Sequence, residues 1–450
     1  MKEETIFKKT TVKDFFETEL VDYASYSTLR AIASLVDGQK NSSRKVIHTV
    51  QKKNITSKYK VQNLASLVSM ETEYLHGGVS LEGVIVTNAR NFIGTNNLNV
   101  LYPSGNFGTR FEPEASASRY IFTYKEKVFD KLFIKEDNNV LIKQNFEGTD
   151  IEPRFFVPTL PLILINGSEG IATGFAQKIL PRDIITIKEY IRAYLANEET
   201  PELLPYFNGF KGKIKYTQTK NQVEIDGIFN RVGSTKIIIS ELPIGYNLKQ
   251  YTKILDDLED KKIINSFKDL SNSKKDEFLF ELKVTSKFSA ETDEWIIGKL
   301  KLRKTVTENF TVIDENNRVK SYESPEEVIN HYIEVKLQYL EKRKQYLIDK
   351  TKHDLLVLAS KYIFVKNVTD ENILVNKKKK EEIIKQIQKF DKISLIDGSY
   401  DYLLRMPIYS LTEEKLDELL SQIKSKKQEL QDIIDKKTSE TWVEEIEEVK

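Results

Sequence analysis

Apolar residues recur at helical spacing from residue 10 to 35, at Phe15, Leu20, Tyr23, Leu29, Ile32 and Leu35, and the run stops at the turn pair Asp37-Gly38. A basic stretch follows. After it the pattern predicts two more helices, Val61 to Met70 and Ser80 to Asn88, with Glu71 to Gly78 as the turn between them. Two short helices joined in this way have the layout of a helix-turn-helix, which serves either as a nucleic-acid reader or as a plain packing unit. From Phe155 to about Lys320 the texture changes to short β-branched and aromatic runs between Gly and Pro. Leu160 to Ile165, Gly212 to Tyr216, Gln222 to Ile225, Thr235 to Ile239 and Phe278 to Val284 predict strands of a mixed α/β domain, the first ending at Asn166-Gly167.

At Ser324-Pro325-Glu326-Glu327 the signals for a helix start agree: Ser as N-cap, Pro at the first helical position and Glu at the third, which predicts a capping box. Apolar positions from Val328 through Tyr332, Leu337, Leu340, Leu347 and Leu358 carry that helix to about Val365, roughly 60 Å at 1.5 Å per residue. A second arm runs from Thr412 to about Lys436, with Leu416, Leu419, Ile423, Leu430 and Ile433 near heptad spacing. Both arms are too polar to form a core alone. They predict an antiparallel coiled coil with a small helical knob between them, in which the Lys377 to Lys380 run is a solvated helix start.

Composition sets the class. With 450 residues the chain exceeds the size at which one core keeps growing, so two to four units are expected, and 40% apolar content with 23 Phe and 21 Tyr is that of a folded protein. The longest apolar run, Leu160 to Ile165, is too short to span a bilayer, and the opening Met1-Lys2-Glu3-Glu4-Thr5 lacks the apolar core of a secretory signal. A cytoplasmic protein is expected. The absence of cysteine fits a reducing compartment and excludes thiol chemistry. Net charge is only +1, but it is segregated: Lys40, Arg44, Lys45, Lys52, Lys53, Lys58 and Lys60 face no acid within their stretch, while Glu440, Glu444, Glu445, Glu447 and Glu448 crowd the other end. A polyanion is expected to bind near the basic stretch.

One tyrosine stands out by context. Tyr120 follows Arg119 in Glu114-Ala115-Ser116-Ala117-Ser118-Arg119-Tyr120-Ile121-Phe122-Thr123, shortly after the glycine-punctuated Tyr102-Pro103-Ser104-Gly105-Asn106-Phe107-Gly108-Thr109-Arg110. Small residues leave room for a bulky backbone to approach, and an adjacent guanidinium can neutralise charge on a phosphate. A phenol of pKa about 10 is a good leaving group once esterified to phosphate, so a tyrosyl phosphodiester conserves the energy of the bond it replaces.

These residues, together with Asn91-Phe92-Ile93-Gly94-Thr95-Asn96-Asn97-Leu98, resemble the breakage-reunion core of type IIA DNA topoisomerases. Further matches follow in order: Val36-Asp37-Gly38-Gln39-Lys40 with Arg44-Lys45, Tyr74-Leu75-His76-Gly77, the run from Pro161 to Gly174, and Tyr400-Asp401-Tyr402-Leu403-Leu404-Arg405-Met406. The likeness is to eukaryotic and phage enzymes more than to gyrase, whose Ala-Met-Arg-Tyr signature is missing, and the length resembles the medium subunit of the tailed-phage enzyme.

The resemblance implies a multi-domain α+β fold. Its parts would be a winged-helix DNA-gate domain over 1–150, an α/β tower domain over 151–323, coiled-coil arms over 324–366 and 411–450, and a C-gate dimerisation knob over 367–410. It implies Tyr120 as nucleophile, Arg119 as transition-state stabiliser, and His76 and Arg44 on the same phosphate. Lys40, Lys45, Tyr74 and Ser80 would contact DNA, and Ile171 would be a wedge between base pairs, where the plainer reading packs it behind the Gly167 to Gly174 turn. No metal site is expected in this chain, because Glu112 and Glu114 lack the Asp-x-Asp grouping; Mg²⁺ and ATP would be bound by a large partner subunit with ATPase and Toprim domains. The other expected partners are double-stranded DNA and a second copy of the chain, with no membrane. The function implied is a transient 5′-phosphotyrosyl double-strand break for duplex passage, with relaxation and decatenation favoured because the chain ends soon after the second arm. A non-catalytic architectural DNA-binding protein is the alternative. Asn41, Leu75, Gly78 and Asn247 depart from the family pattern.

Overall fold

A computed structural model describes residues 11–449. The opening residues on which the reading of a leader rests, and Lys450, lie outside the described residues. The chain divides into two compact units, residues 1–336 with 445–450, and residues 337–444.

In the first unit, the run predicted as one helix over 10–35 is two. Helix α1 (Val12–Glu17), capped by the Thr11 hydroxyl, gives way at Thr18 to α2 (Glu19–Ala31). Beyond Ala31 the chain is extended, since Leu35 N–H is bonded to Ile313 O while Ile32 and Leu35 enter the core. The basic stretch is itself a helix, α3 (Asn41–Lys52), which buries Val46, Ile47 and Val50. Strand β1 (Tyr59–Lys60) leads into α4 (Val61–Glu71), and the turn at 72–77 into α5 (Gly78–Ala89), as the pattern predicted. Leu64, Val68, Leu81 and Ile85 close the three-helix core. Strand β2 (Phe122–Thr123) pairs antiparallel with β1.

Leu160 to Ile165 is not a strand. Leu162–Ile165 is one helical turn, every side chain buried, with the Pro161 carbonyl accepting from Leu164 and Ile165 N–H. A short, wholly apolar run has no periodicity to separate buried helix from buried strand. The turn lies so close to Gly38 that a Cβ there would be 2.4 Å from Ile163 N, and Gly38 also has φ +66. Next comes a tight hairpin, β3 (Ser168–Ala172) and β4 (Phe175–Ile179), reversed at Thr173-Gly174. It is pressed against α2: a Cβ on Gly170 would be 2.1 Å from Ala31 O.

The rest of this unit is the expected α/β region. Its larger elements are α6 (Ile184–Ala196), β5 (Lys213–Tyr216), β6 (Gln222–Asp226), β7 (Ile228–Arg231), β8 (Lys236–Glu241), α7 (Leu248–Asp260), β9 (Ser266–Asp269), β10 (Phe280–Lys283), β11 (Arg303–Thr307), β12 (Phe310–Ile313) and β13 (Val319–Tyr322), with two short helical segments at Ser286–Ser289 and Asp293–Lys299. Order β9-β10-β8-β7 makes one antiparallel sheet, β11-β6-β5 a second, and β12-β13 a hairpin. Ile237, Ile239, Tyr251, Leu255, Phe278 and Phe280 form the larger core. Arg182 and Glu308 are both fully buried and paired at 2.7 Å, with Tyr216 bonded to each, so neither charge is left unsatisfied.

The long helix α8 (Pro325–Thr369) starts where predicted, but its capping box is only half formed. Ser324 Oγ accepts from Glu327 N–H at 3.4 Å, whereas the Glu327 carboxylate takes Glu323 N–H at 2.8 Å instead of the cap's own. In the second unit, α8 runs antiparallel to α10 (Glu413–Asp435): Lys344 Nζ donates to Ile434 and Lys436 carbonyls, and Asp354 meets Lys426 farther along. Between them α9 (Lys380–Ile387) and a turn at Asp401–Leu404 enclose Phe364, Ile373, Ile387, Ile393 and Leu403. The arm expected over 411–450 is not continuous. It breaks at Lys436, whose extended backbone turns its carbonyl to Lys344, and a separate helix α11 (Thr438–Glu448) follows.

Candidate active site

Tyr120 is on a turn whose flanks are tied down. Ser104 and Phe122 exchange both backbone bonds, at 3.0 and 2.9 Å, and Ser116 N–H reaches Asn106 O. Gly105 makes this approach possible, with φ +114 and a virtual Cβ only 3.0 Å from Ile121 Cγ2. The first N–H groups of a helix have no partner inside it. Here Val61 N–H donates to Ile121 O and Gln62 N–H to Ser118 O, so the turn closes the N-terminus of α4. Ser118 Oγ donates to Glu82 Oε2 on α5 at 2.6 Å. Ile121 is buried, while Tyr120 beside it is 67% exposed. The Arg119 guanidinium lies 4.9 Å from the Tyr120 ring centroid, within cation–π range. An outward phenol on a fixed turn, with a cation beside it, suits attack on a bulky phosphodiester.

Tyr74, His76 and Ser80 form a second cluster. His76 Nε2 is 2.5 Å from the Tyr26 hydroxyl, Tyr74 packs edge-on against His76, and Tyr74 donates to Ser80 Oγ. Tyr26 belongs here although the sequence pattern does not single it out; its one signal is a tyrosine off the buried face of α2. Lys40 and Ser80 line a groove of about 940 Å³ together with Thr87, Asn88, Lys178 and Lys304. Burial lowers the Lys40 ammonium below the usual lysine range, opposed by Glu169, whose backbone carbonyl it meets at 2.7 Å. Lys304, also missed, has its Nζ 3.8 Å over the Tyr246 ring and is likewise lowered by burial.

Two expected phosphate contacts face inward instead. Arg44 is 6% exposed, and its guanidinium bonds both Asp37 oxygens, Gln39 O and Asn41 Oδ1. Lys45 donates to Thr72 O at 2.7 Å and to Glu152, its side chain 14% exposed. Both come from the face of α3 that packs inside the unit, so neither reaches out as the resemblance implied.

Ile171 is 81% exposed on the β3–β4 hairpin, which rules out packing behind the turn. Asn247 accepts from Gln250 N–H and completes a capping box at α7, so this departure from the family pattern has a local task. Among the described residues no group of three or more His, Asp or Glu side chains is placed to hold a metal ion, and no helix is long and apolar enough to cross a membrane.

Comparison with known proteins adds an independent line. The family model for the A-subunit of DNA gyrase/topoisomerase IV matches residues 30–447. The mitochondrial DNA topoisomerase 2 of Dictyostelium discoideum is 32% identical over 98% of this chain and 35% of its own length, and the DNA topoisomerase 2 of Plasmodium falciparum is 32% identical over 98% and 34%. The crystal structure of the Plasmodium falciparum topoisomerase II DNA-binding, cleavage and re-ligation domain superposes with a TM-score of 0.87 at 32% identity, covering 97% of this chain and 63% of that one. The chain thus spans about a third of these curated relatives. With a collinear match over nearly its whole length and the same fold, it belongs to the DNA gyrase/topoisomerase IV A-subunit family, and the relatives it matches are type II topoisomerases.

Proposed function

We propose that this chain cleaves and rejoins DNA for a type II topoisomerase, with Tyr120 as the nucleophile. The observation that carries the reading is the exposed Tyr120 on a turn fixed to α4 and α5, with Arg119 at its ring. The Tyr120 oxygen attacks phosphorus, a bond to phosphorus forms, the bond to the 3′ oxygen breaks, and the phenol's proton ends on that leaving oxygen. The product is a 5′-phosphotyrosyl ester and a free 3′ hydroxyl, and religation is the same exchange reversed. Arg119 meets the charge that builds on the phosphate, and His76, fixed by Tyr26, holds or polarises the same phosphate. Lys40, Tyr74 and Ser80 contact the DNA backbone, and the exposed Ile171 acts as the wedge. Arg44 and Lys45 support the fold beneath these contacts.

Two strands need two tyrosines, so the working unit contains two copies of the chain. Among the described residues no group of carboxylates is placed to hold Mg²⁺. We assign Mg²⁺ and ATP to a large partner with ATPase and Toprim domains, the chain itself serving as a medium subunit like that of the phage enzymes and working in the cytoplasm. Mg²⁺ would supply further charge neutralisation at the scissile phosphate.

The test mixes the chain with that partner, Mg²⁺ and plasmid, and stops the reaction with detergent. Protein joined covalently to linear DNA is expected for wild type and none for Tyr120→Phe. DNA that is bound and bent but never joined to protein points to the architectural alternative.

A further inference from the structure

Glu82 is an acid in an unusual place. It projects from α5, the helix that also carries Ser80, Gly83 and Thr87 of the groove, beside a surface expected to seat a polyanion. A carboxylate there opposes binding of phosphates by simple repulsion. Its partner is not a cation: it accepts the Ser118 hydroxyl at 2.6 Å in a half-buried setting, two residues before Tyr120. The ties of the turn to α4 and to the Ser104–Asn106 segment are main-chain bonds, and they hold backbone on either side. The Glu82–Ser118 bond is made by side chains, and it joins the turn to a different helix.

We infer that Glu82 is a positioning residue for Tyr120, acting through Ser118. The inference rests on the nucleophile reading above. The carboxylate–hydroxyl bond fixes the turn against α5, so that seating DNA on α5 and presenting the phenol become one event. A charged acceptor makes a shorter and stronger bond to a hydroxyl than a neutral one, which suits a turn that must hold its place while DNA is pulled against it. Displacing a reacting group by about 1 Å can cost about 100-fold in rate. Without Glu82 the phenol wanders while DNA still binds.

The readout separates rate from affinity. The test uses the complete complex with Mg²⁺, measuring the cleavage rate at saturating DNA and DNA affinity by fluorescence anisotropy, for wild type, Glu82→Ala, Glu82→Gln, Ser118→Ala and the double Ala variant. Expected are a cleavage rate lower by about 10-fold or more for Glu82→Ala and Ser118→Ala, and no further loss in the double variant. Affinity for DNA should be unchanged or tighter in both Glu82 variants, because a negative charge has gone. Glu82→Gln, which keeps an acceptor oxygen, should recover most of the rate. The inference is overturned if Ser118→Ala cleaves like wild type, if the two losses multiply, or if Glu82→Gln is as slow as Glu82→Ala. Should Glu82→Ala fail to fold, Ser118→Ala and Glu82→Gln decide alone. Absence of cleavage by wild type would instead strike the nucleophile reading itself.

Discussion

Arg44 and Arg119 carry the same guanidinium in segments that look equally suited to a phosphate, yet the fold uses them in opposite ways. On α3, Arg44 turns inward to Asp37 and Lys45 to Glu152, each bonded to backbone carbonyls as well. On the turn, Arg119 is exposed and stacks on the phenol it would assist. The difference comes from periodicity. A helix with one buried face must bring some of its basic residues under cover, and a buried cation persists only with acids and carbonyls around it. A turn held by its flanks can leave adjacent side chains outside. A run of positive charge in a sequence therefore marks where a basic helix is, not which of its members meet a ligand.

The largest effect expected from this contrast is on stability. Arg44→Ala leaves the Asp37 carboxylate buried without its cation and should lower unfolding free energy by about 3–5 kcal/mol, read from urea unfolding of the first unit's fluorescence. Arg119→Ala should leave the same curve within about 0.5 kcal/mol while removing most of the cleavage. If Arg119→Ala destabilises as much as Arg44→Ala, the contrast fails.

What is legible in the sequence follows the same line. The helices α4 and α5, the long helix α8 and the strands β5, β6, β8 and β10 are visible because their apolar residues repeat with the period of the element. The turn Leu162–Ile165 reads as a strand because it is buried on every side and so has no period. The exposed turn that carries Arg119 and Tyr120 lies where the sequence is rich in glycine and small residues, which the structure explains by the tight approach of Gly105 to Ile121. The placement of Glu82, Tyr26 and Lys304 is not legible, because each meets a partner at least 36 residues away in the chain or on another wall of the groove. The burial of Lys45 is hidden for the same reason, its acid Glu152 being 107 residues away, whereas Arg44 meets Asp37 nearby in sequence and is covered because its side of α3 packs inward.

A mid-sized effect is expected on the inward side of the comparison. His48 shares α3 with Arg44, and burial, helped by Lys52 and Lys45 and opposed by Glu71, pushes its imidazole down to about 4. Its Nε2 has no hydrogen-bond partner among the described residues. Below pH 6.5 the unfolded chain takes up a proton that the folded one refuses until about pH 4. Stability from this group is thus complete above pH 6.5 and falls as pH drops toward 4, by on the order of 2–3 kcal/mol. Unfolding of His48→Gln should show a flatter slope across that window; an unchanged slope counts against a buried neutral imidazole.

The smallest effect on the fold belongs to the outward side. Ile171, exposed on its hairpin, should change stability by less than about 0.5 kcal/mol when replaced by Ala. DNA bending, followed by energy transfer between dyes at the duplex ends, should fall clearly. Bending equal to wild type would return Ile171 to the ordinary exposed surface.

Of the 21 tyrosines, one is expected to become joined to DNA. The most direct measurement digests the detergent-trapped complex with nuclease and protease and locates the nucleotide adduct by peptide mass spectrometry. A single adduct is predicted, on the peptide that contains Arg119-Tyr120-Ile121. An adduct on a neighbouring tyrosine such as Tyr102 or Tyr124, or trapped DNA without any tyrosyl adduct, would contradict the assignment of Tyr120 as nucleophile.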